Sequence, residues 1–259
     1  MNAPASLVRI NRNENAWGCS PAVLNRLAGL TPADIARYPD ETPLQAELAR
    51  LLGMPREQVR ITAAGDEAIR MVIEGVTGEG DTVVIPQPEF PIFRWCAEAR
   101  NRAVKTVPLN WDYNYDVKSI LEAAADADLL VLMSPHNPAG CALEPEDMET
   151  ILQGLPETPV LLDEAYGEFD GLTCAGLVER YPNLLVLKTF SKAYGLAGLR
   201  LGALLGQSAI LGRACAAQMP YAVGSVSVAA GLAALSDPGF ARTVRFGVRR
   251  NRTRLRAAM

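Results

Sequence analysis

Several short stretches of this 259-residue chain carry residue types that can do covalent and acid–base chemistry. Lys192 stands in Thr189-Phe190-Ser191-Lys192, followed by Gly195-Leu196-Ala197-Gly198-Leu199-Arg200. Asp163 opens Asp163-Glu164-Ala165-Tyr166, Asn137 sits in Ser134-Pro135-His136-Asn137-Pro138-Ala139-Gly140, and Phe90 closes Pro88-Glu89-Phe90. A lysine amine can condense with an aldehyde, and a carboxylate can pair with a protonated ring nitrogen and keep that ring an electron sink. A flat apolar side chain can cover a ring face. Arginine, hydroxyls and helix-start amides can hold a phosphate. Each residue also has a plainer reading. A lone lysine is normally a surface group, an aspartate after a strand can cap a helix, Phe90 alone would be core, and Tyr38 alone would be a turn residue. Ser191 and the glycine-spaced Arg200 argue against the plain reading of Lys192.

These stretches all follow short apolar runs. Residues 82–86, 129–133, 160–163, 184–188 and 201–205 are too short for helices and lack polar alternation, so the pattern predicts strands buried on both faces. Amphipathic segments lie between them. Thr42 can cap a helix with Pro43 in its first turn and Gln45 completing a capping box, and that helix stops at Gly53. Asp116 can cap a helix over 117–125, and 146–152 fits another. Helix 225–235 ends at Asp237-Pro238-Gly239, and an arginine-rich helical pattern follows from Phe240. Alternating strand and helix predicts an α/β domain with a mainly parallel sheet. In such a sheet, ligands sit beyond the carboxyl ends of the strands, which is where the chemistry-bearing residues fall. Together they are the parts that a pyridoxal phosphate site needs.

The sequence resembles the fold-type I pyridoxal-phosphate aminotransferases, and within them the histidinol-phosphate aminotransferase group. The resemblance rests on Ser191 to Arg200, on Asn137 and Asp163-Glu164-Ala165-Tyr166 in the same order, and on Asn13-Glu14-Asn15 and Arg37-Tyr38-Pro39-Asp40. It implies an α/β fold with an aspartate aminotransferase-like large domain and a smaller, incomplete domain. It implies that Lys192 is the Schiff-base lysine and proton shuttle, that Asp163 pairs with the pyridine nitrogen, and that Asn137 and Tyr166 hold the ring hydroxyl oxygen. Phe90 would stack on the ring. Thr189, Ser191 and Arg200 would bind the phosphate, with Ala64, Gly65 and Asp66 starting a helix against it. Tyr38 would reach the phosphate of a neighbouring subunit, which implies a homodimer. The implied reaction moves an amino group from histidinol phosphate to 2-oxoglutarate in histidine biosynthesis. A lyase on the same scaffold, such as a threonine-phosphate decarboxylase, and a truncated cofactor-binding protein without turnover are the alternatives.

The chain departs from the family at Ala64-Gly65, where glycine followed by serine or alanine is usual, at Ala16 and at Ala139. None of these removes a group that does chemistry. Family members continue for about another domain's worth of segments, so the arginine that grips the substrate carboxylate is expected beyond Met259. The arginines at 242, 245, 249, 250, 252, 254 and 256 do not match it by motif and read as a helix face. The expected organisation is an arm and small-domain segment over 1–36, a large cofactor-binding domain over 37–236, and the start of a truncated small domain over 237–259.

Composition excludes other classes. The net charge is -4 with both signs scattered, so no basic block marks a nucleic-acid partner. No apolar run approaches a membrane span, and residues 1–12 lack a signal pattern. Five cysteines without a Cys-x-x-Cys pair read as reduced thiols in a cytoplasmic protein. With His136 the only histidine, a zinc site is not expected. His136 receives no catalytic role.

Overall fold

The computed structural model describes residues 10–259. The expectation for residues 1–12 therefore lies mostly outside the described residues. One sheet of seven strands organises the rest: β1 (Val59–Thr62), β2 (Thr82–Gln87), β3 (Ala103–Pro108), β4 (Leu129–Met133), β5 (Val160–Asp163), β6 (Leu184–Thr189) and β7 (Gly202–Gly206). Their order is β1-β7-β6-β5-β4-β2-β3. Strands β2 to β6 pair in parallel, and β7 pairs antiparallel with both β6 and β1. Only β7 runs against the others, so the expected mainly parallel sheet is observed.

The five apolar runs are β2, β4, β5, β6 and β7, and every residue of β4, β5 and β6 is buried. Alternation decides which layer each side chain enters. Leu130, Leu132 and Leu162 join one core, while Leu129, Val131, Met133 and Leu161 join the core on the opposite face. Two covered faces explain why these strands read as continuous apolar runs. Strands β1 and β3 were not legible in that way: β3 lies at the sheet edge, and its side chains alternate in exposure.

The helices are α1 (Pro21–Ala28), α2 (Pro32–Ala36), α3 (Thr42–Leu52), α4 (Ala64–Val76), α5 (Ile92–Glu98), α6 (Val117–Ala124), α7 (Pro145–Gly154), α8 (Gly167–Asp170), α9 (Ser208–Cys215), α10 (Ser225–Leu235) and α11 (Pro238–Ala258). Helices α3, α6, α7 and α10 cover the first core, and α4, α5 and α9 cover the second. Asp116 caps α6 through the Lys118 and Ser119 amides, as its position predicts. Gly53 closes α3 in the left-handed conformation, φ 67°.

The capping box at α3 is corrected. Thr42 is the first helical residue, and its amide donates to Asp40 Oδ1 at 3.0 Å. The Gln45 amide instead donates to the Arg56 and Val59 carbonyls at 3.1 and 2.5 Å. Those loop carbonyls need donors, and Gln45 is long enough to reach them. Asp237 both ends α10 and caps α11, accepting from the Phe240 amide at 3.3 Å.

Among the described residues no helix is long and apolar enough to cross a membrane, no disulfide forms, and no cluster of metal-ligating groups occurs.

Candidate active site

Register sets the site. Met133 at the end of β4 pairs with Asp163 at the end of β5, and Asp163 pairs with Leu187 near the end of β6. Three parallel strands therefore finish at one height, and the loops beyond them open onto a cavity of about 560 Å³. Asp163, Asn137, Tyr166, Thr189, Ser191 and Lys192 all line it. Phe90 and Arg200 do as well, and so do Ala64, Gly65 and Asp66 at the start of α4. Eleven of the twelve residues read from the sequence thus converge on one space. Tyr38 is the exception. It is 79% exposed, stacks on Tyr221 with ring centroids 4.3 Å apart, and does not line the cavity.

The start of α4 faces the cavity without a side-chain cap. Its first-turn amides have no helical partner, and the helix dipole favours an anion there. Arg200 Nη2 meets Asp66 Oδ2 at 2.5 Å beside that helix start. Thr189 Oγ1 and Ser191 Oγ lie 3.0 Å apart, and Thr189 Oγ1 also accepts from the Ser191 amide. Ala64 has φ 72°, a left-handed conformation that glycine adopts freely. The departure from glycine at this position thus falls where a Cβ is least welcome.

Electrostatics separate the charged groups. Burial pushes the Asp163 carboxyl up to about 7, against the pull of the Ala165 amide, which donates to Oδ1 at 2.8 Å. No cation among the described residues lies within ion-pair distance of it. Burial also lowers the Lys192 ammonium from its ordinary value, opposed by Asp66 and Asp163. Lys192 Nζ donates to the Arg12 carbonyl at 3.0 Å and sits 5.6 Å from the centroid of the Tyr166 ring. Burial raises the Tyr166 phenol, whose oxygen accepts from Asn13 Nδ2 at 2.9 Å.

Some site residues escaped the sequence reading. Asn15 Nδ2 donates to the carbonyls of Lys192 and Ala193, each at 3.1 Å, tying the N-terminal stretch to the lysine loop. The polar Asn13-Glu14-Asn15 triplet was the available signal. A second cavity of about 490 Å³ shares Asn13, Asn137, Tyr166 and Lys192 with the first, and Arg249 and Arg252 of α11 line it. Two of the helix-face arginines therefore face a cavity. His136 also lines this second cavity, but it is 3% exposed and burial holds it at about 4, so it is neutral near pH 7.

At the strand ends of this open α/β sheet, a lysine, a buried carboxylate and an uncapped helix start share one cavity. Residues 6–259 match the aminotransferase class I and II family, and the chain belongs to that family. Its relatives include the histidinol-phosphate aminotransferases of Symbiobacterium thermophilum and Xanthomonas campestris pv. campestris. They are 37% and 39% identical to it, with 97% of this chain aligned to 71% of each. The histidinol-phosphate aminotransferase of Sinorhizobium meliloti, solved in complex with pyridoxal-5'-phosphate, superimposes with a TM-score of 0.88 at 30% identity. That match covers 96% of this chain and 69% of that one. The L-threonine-O-3-phosphate decarboxylase of Porphyromonas gingivalis, at 23% identity and a TM-score of 0.75, shares the fold.

Proposed function

We propose that this chain is a pyridoxal-phosphate-dependent histidinol-phosphate aminotransferase, with 2-oxoglutarate as the amino acceptor. The observation that carries the reading is the convergence of Lys192, Asp163, Asn137 and Tyr166 with the bare start of α4 on one cavity. The donor set fits the cofactor. Asp163 is a buried carboxylate lacking a cationic partner among the described residues, and a protonated pyridine nitrogen would supply one. The α4 start, Thr189, Ser191 and Arg200 would hold the phosphate, Asn137 and Tyr166 the ring oxygen, and Phe90 a ring face. When bound, pyridoxal phosphate supplies an aldehyde for covalent capture of amines and a ring that takes up an electron pair.

The chain's own residues do the rest. Lys192 Nζ, with its ammonium destabilised by burial, is the amine that would hold the cofactor and then carry a proton from the amine-bearing carbon of the substrate to the carbon that was the cofactor's aldehyde. Asp163 would keep a positive charge on the ring nitrogen. Tyr166 Oη, which accepts from Asn13 Nδ2, would donate to the ring oxygen. Asn15 holds the backbone of the lysine loop, limiting how far Nζ can wander. The expected division into an N-terminal segment, a large cofactor-binding domain and a small-domain segment accompanies this reading.

Two measurements test it. Borohydride reduction of the cofactor-loaded chain followed by peptide mapping is expected to locate the adduct on Lys192; an adduct on another lysine overturns the assignment. Transfer of the amino group from histidinol phosphate to 2-oxoglutarate is expected in a coupled assay. Release of carbon dioxide from threonine phosphate, with no transamination, would assign a lyase instead.

A further inference from the structure

Asn137 lines both cavities, yet its side chain makes no hydrogen bond or ion pair among the described residues. Its aim therefore comes from the backbone turn that carries it, and the residue before it closes that turn. The His136 amide donates to the Cys141 carbonyl at 2.7 Å, and the His136 carbonyl accepts from the Gly140 amide at 2.8 Å. The ring adds a third bond: Nδ1 accepts at 3.2 Å from the Ala139 amide, which has no other partner among the described residues. An amide donates only to a ring nitrogen that carries a lone pair, so the proton of the neutral imidazole sits on Nε2. Nε2 is buried without a hydrogen-bond partner, so the work of this side chain falls on Nδ1. Burial keeps the ring neutral, which preserves that lone pair. The imidazole is also held from behind. Tyr115 meets it edge-on, with ring centroids 5.7 Å apart. Tyr115 is itself fixed, because its Oη donates to the Met133 carbonyl at 2.5 Å and accepts from the Met133 amide at 3.1 Å. Met133 ends β4, so His136 is wedged between a strand end and the turn that presents Asn137.

Resting on the reading that Asn137 meets the cofactor's ring oxygen, we infer that His136 is a positioning residue for Asn137. Nδ1 holds the Ala139 amide, the closed turn sets the direction of the Asn137 carboxamide, and the carboxamide meets the ring oxygen. His136 acts through Asn137 and moves no proton itself. The task needs an acceptor at the δ position of the side chain. Asparagine places its Oδ1 there, glutamine places its oxygen one bond further out, and leucine has no acceptor.

Two measurements on the cofactor-loaded chain test this without requiring turnover. His136 is the only histidine, so labelling histidine with nitrogen-15 gives one set of ring signals, and no variant is needed. A neutral ring protonated on Nε2 is expected at pH 7; a charged ring, or one protonated on Nδ1, overturns the inference. The second measurement follows the cofactor's visible absorption band against pH in the parent, H136L, H136N, H136Q, N137A and the double variant H136L/N137A. A donor at the ring oxygen favours its ionised form, so a misaimed or missing Asn137 moves the midpoint of the colour change upward. H136L is expected to raise the midpoint by about half a pH unit or more. H136Q should do likewise, and H136N should restore the parent value. The double variant should match N137A alone, because a residue that acts through Asn137 has no effect once the carboxamide is gone. An unshifted midpoint in H136L and H136Q beside a shifted one in N137A, even with lowered melting temperatures, makes His136 merely structural and overturns the inference. A shift that H136N does not restore, or one that adds to that of N137A, overturns it as well. An unshifted midpoint in N137A instead overturns the placing of Asn137 at the ring oxygen, which is a failure of the proposed site and is told apart from the others by that variant alone.

Discussion

Asp163 is a buried carboxyl with one amide donor and no cation beside it among the described residues. Its raised value means that the folded chain favours the protonated acid. The stability it contributes is fully present below its ordinary value near 3.8 and is lost as pH rises through about 7. Asp163→Asn removes this dependence. In cofactor-free protein, urea melts are expected to show the Asn variant gaining on the parent between pH 4 and 8. The gap between 3.8 and about 7 corresponds to an upper bound of roughly 4 kcal/mol. With cofactor present, the half-reaction of the same variant should slow by about a hundredfold or more, because a neutral amide cannot hold a charged ring nitrogen. A parallel pH course for both proteins would mean that burial does not raise the Asp163 carboxyl. Ala64 offers a second test. Its left-handed backbone costs an L-residue about 1–2 kcal/mol, part of which glycine gives back as unfolded-state entropy. Ala64→Gly is expected to raise the melting temperature by about 2 °C, and an unchanged or lowered value would refute strain at this position.

At the scale of elements, the loop after β6 carries Lys192 and is clamped from two sides. Asn15 holds the Lys192 and Ala193 carbonyls, and Gly195 lies so close to the N-terminal stretch that a Cβ there would stand 1.8 Å from the Gly18 carbonyl oxygen. Gly195 also has φ 69°. Gly195→Ala therefore forces the two segments apart and strains the backbone. The melting temperature is expected to fall by about 5 °C or more, and the cofactor should bind more weakly because the lysine moves with its loop. Differential scanning calorimetry and cofactor titration together check this; an unshifted melt would show that the N-terminal stretch is not docked on the loop. The sequence marked Gly195 only as a spacer between Lys192 and Arg200. Its reason is a contact 177 positions away in the chain.

For the whole molecule, the outlying residue is Tyr38. It stacks on Tyr221 at the surface, and Met219 nearby in sequence is 69% exposed. A tyrosine so far out of its own cavity is available to a second copy of the chain. Mixing a Lys192→Ala chain with a Tyr38→Phe chain tests this, since a mixed dimer would carry both lesions in one site and neither in the other. Activity is expected to rise above that of either parent, toward a quarter of the wild-type level at random equal mixing. No rise, with heterodimers demonstrated, would mean that Tyr38 acts within its own chain or not at all. Elsewhere the molecule spends buried charge on holding layers together. Burial disfavours the Lys188 ammonium, but Glu168 and Glu164 outweigh that and hold it above its ordinary value. Lys188 Nζ lies 2.8 Å from Glu164 Oε2 and 3.6 Å from Glu168 Oε1, in a region next to Arg242 and Arg245 of α11.

The sequence by itself determined the buried strands, the Asp116 cap and eleven cavity residues, because each rests on local chemistry. A run such as Leu129–Met133, buried on both faces, needs no alternation to be recognised. Asp116 caps the residues that directly follow it, and motif residues fall at strand ends by the same short-range logic. The tertiary structure alone decided the reversal of β7, the place of β3 at the edge, and the partner of Gln45, since strand order and loop packing depend on residues far apart in the chain. It also decided the facing of α11. Seven arginines on that helix are alike in composition and spacing, and no local pattern tells Arg252 from Arg256. Docking of α11 against α8 and Trp17 turns Arg249 and Arg252 toward the cavity and leaves Arg256 in water, because a helix's rotation is set by what its apolar stripe packs against.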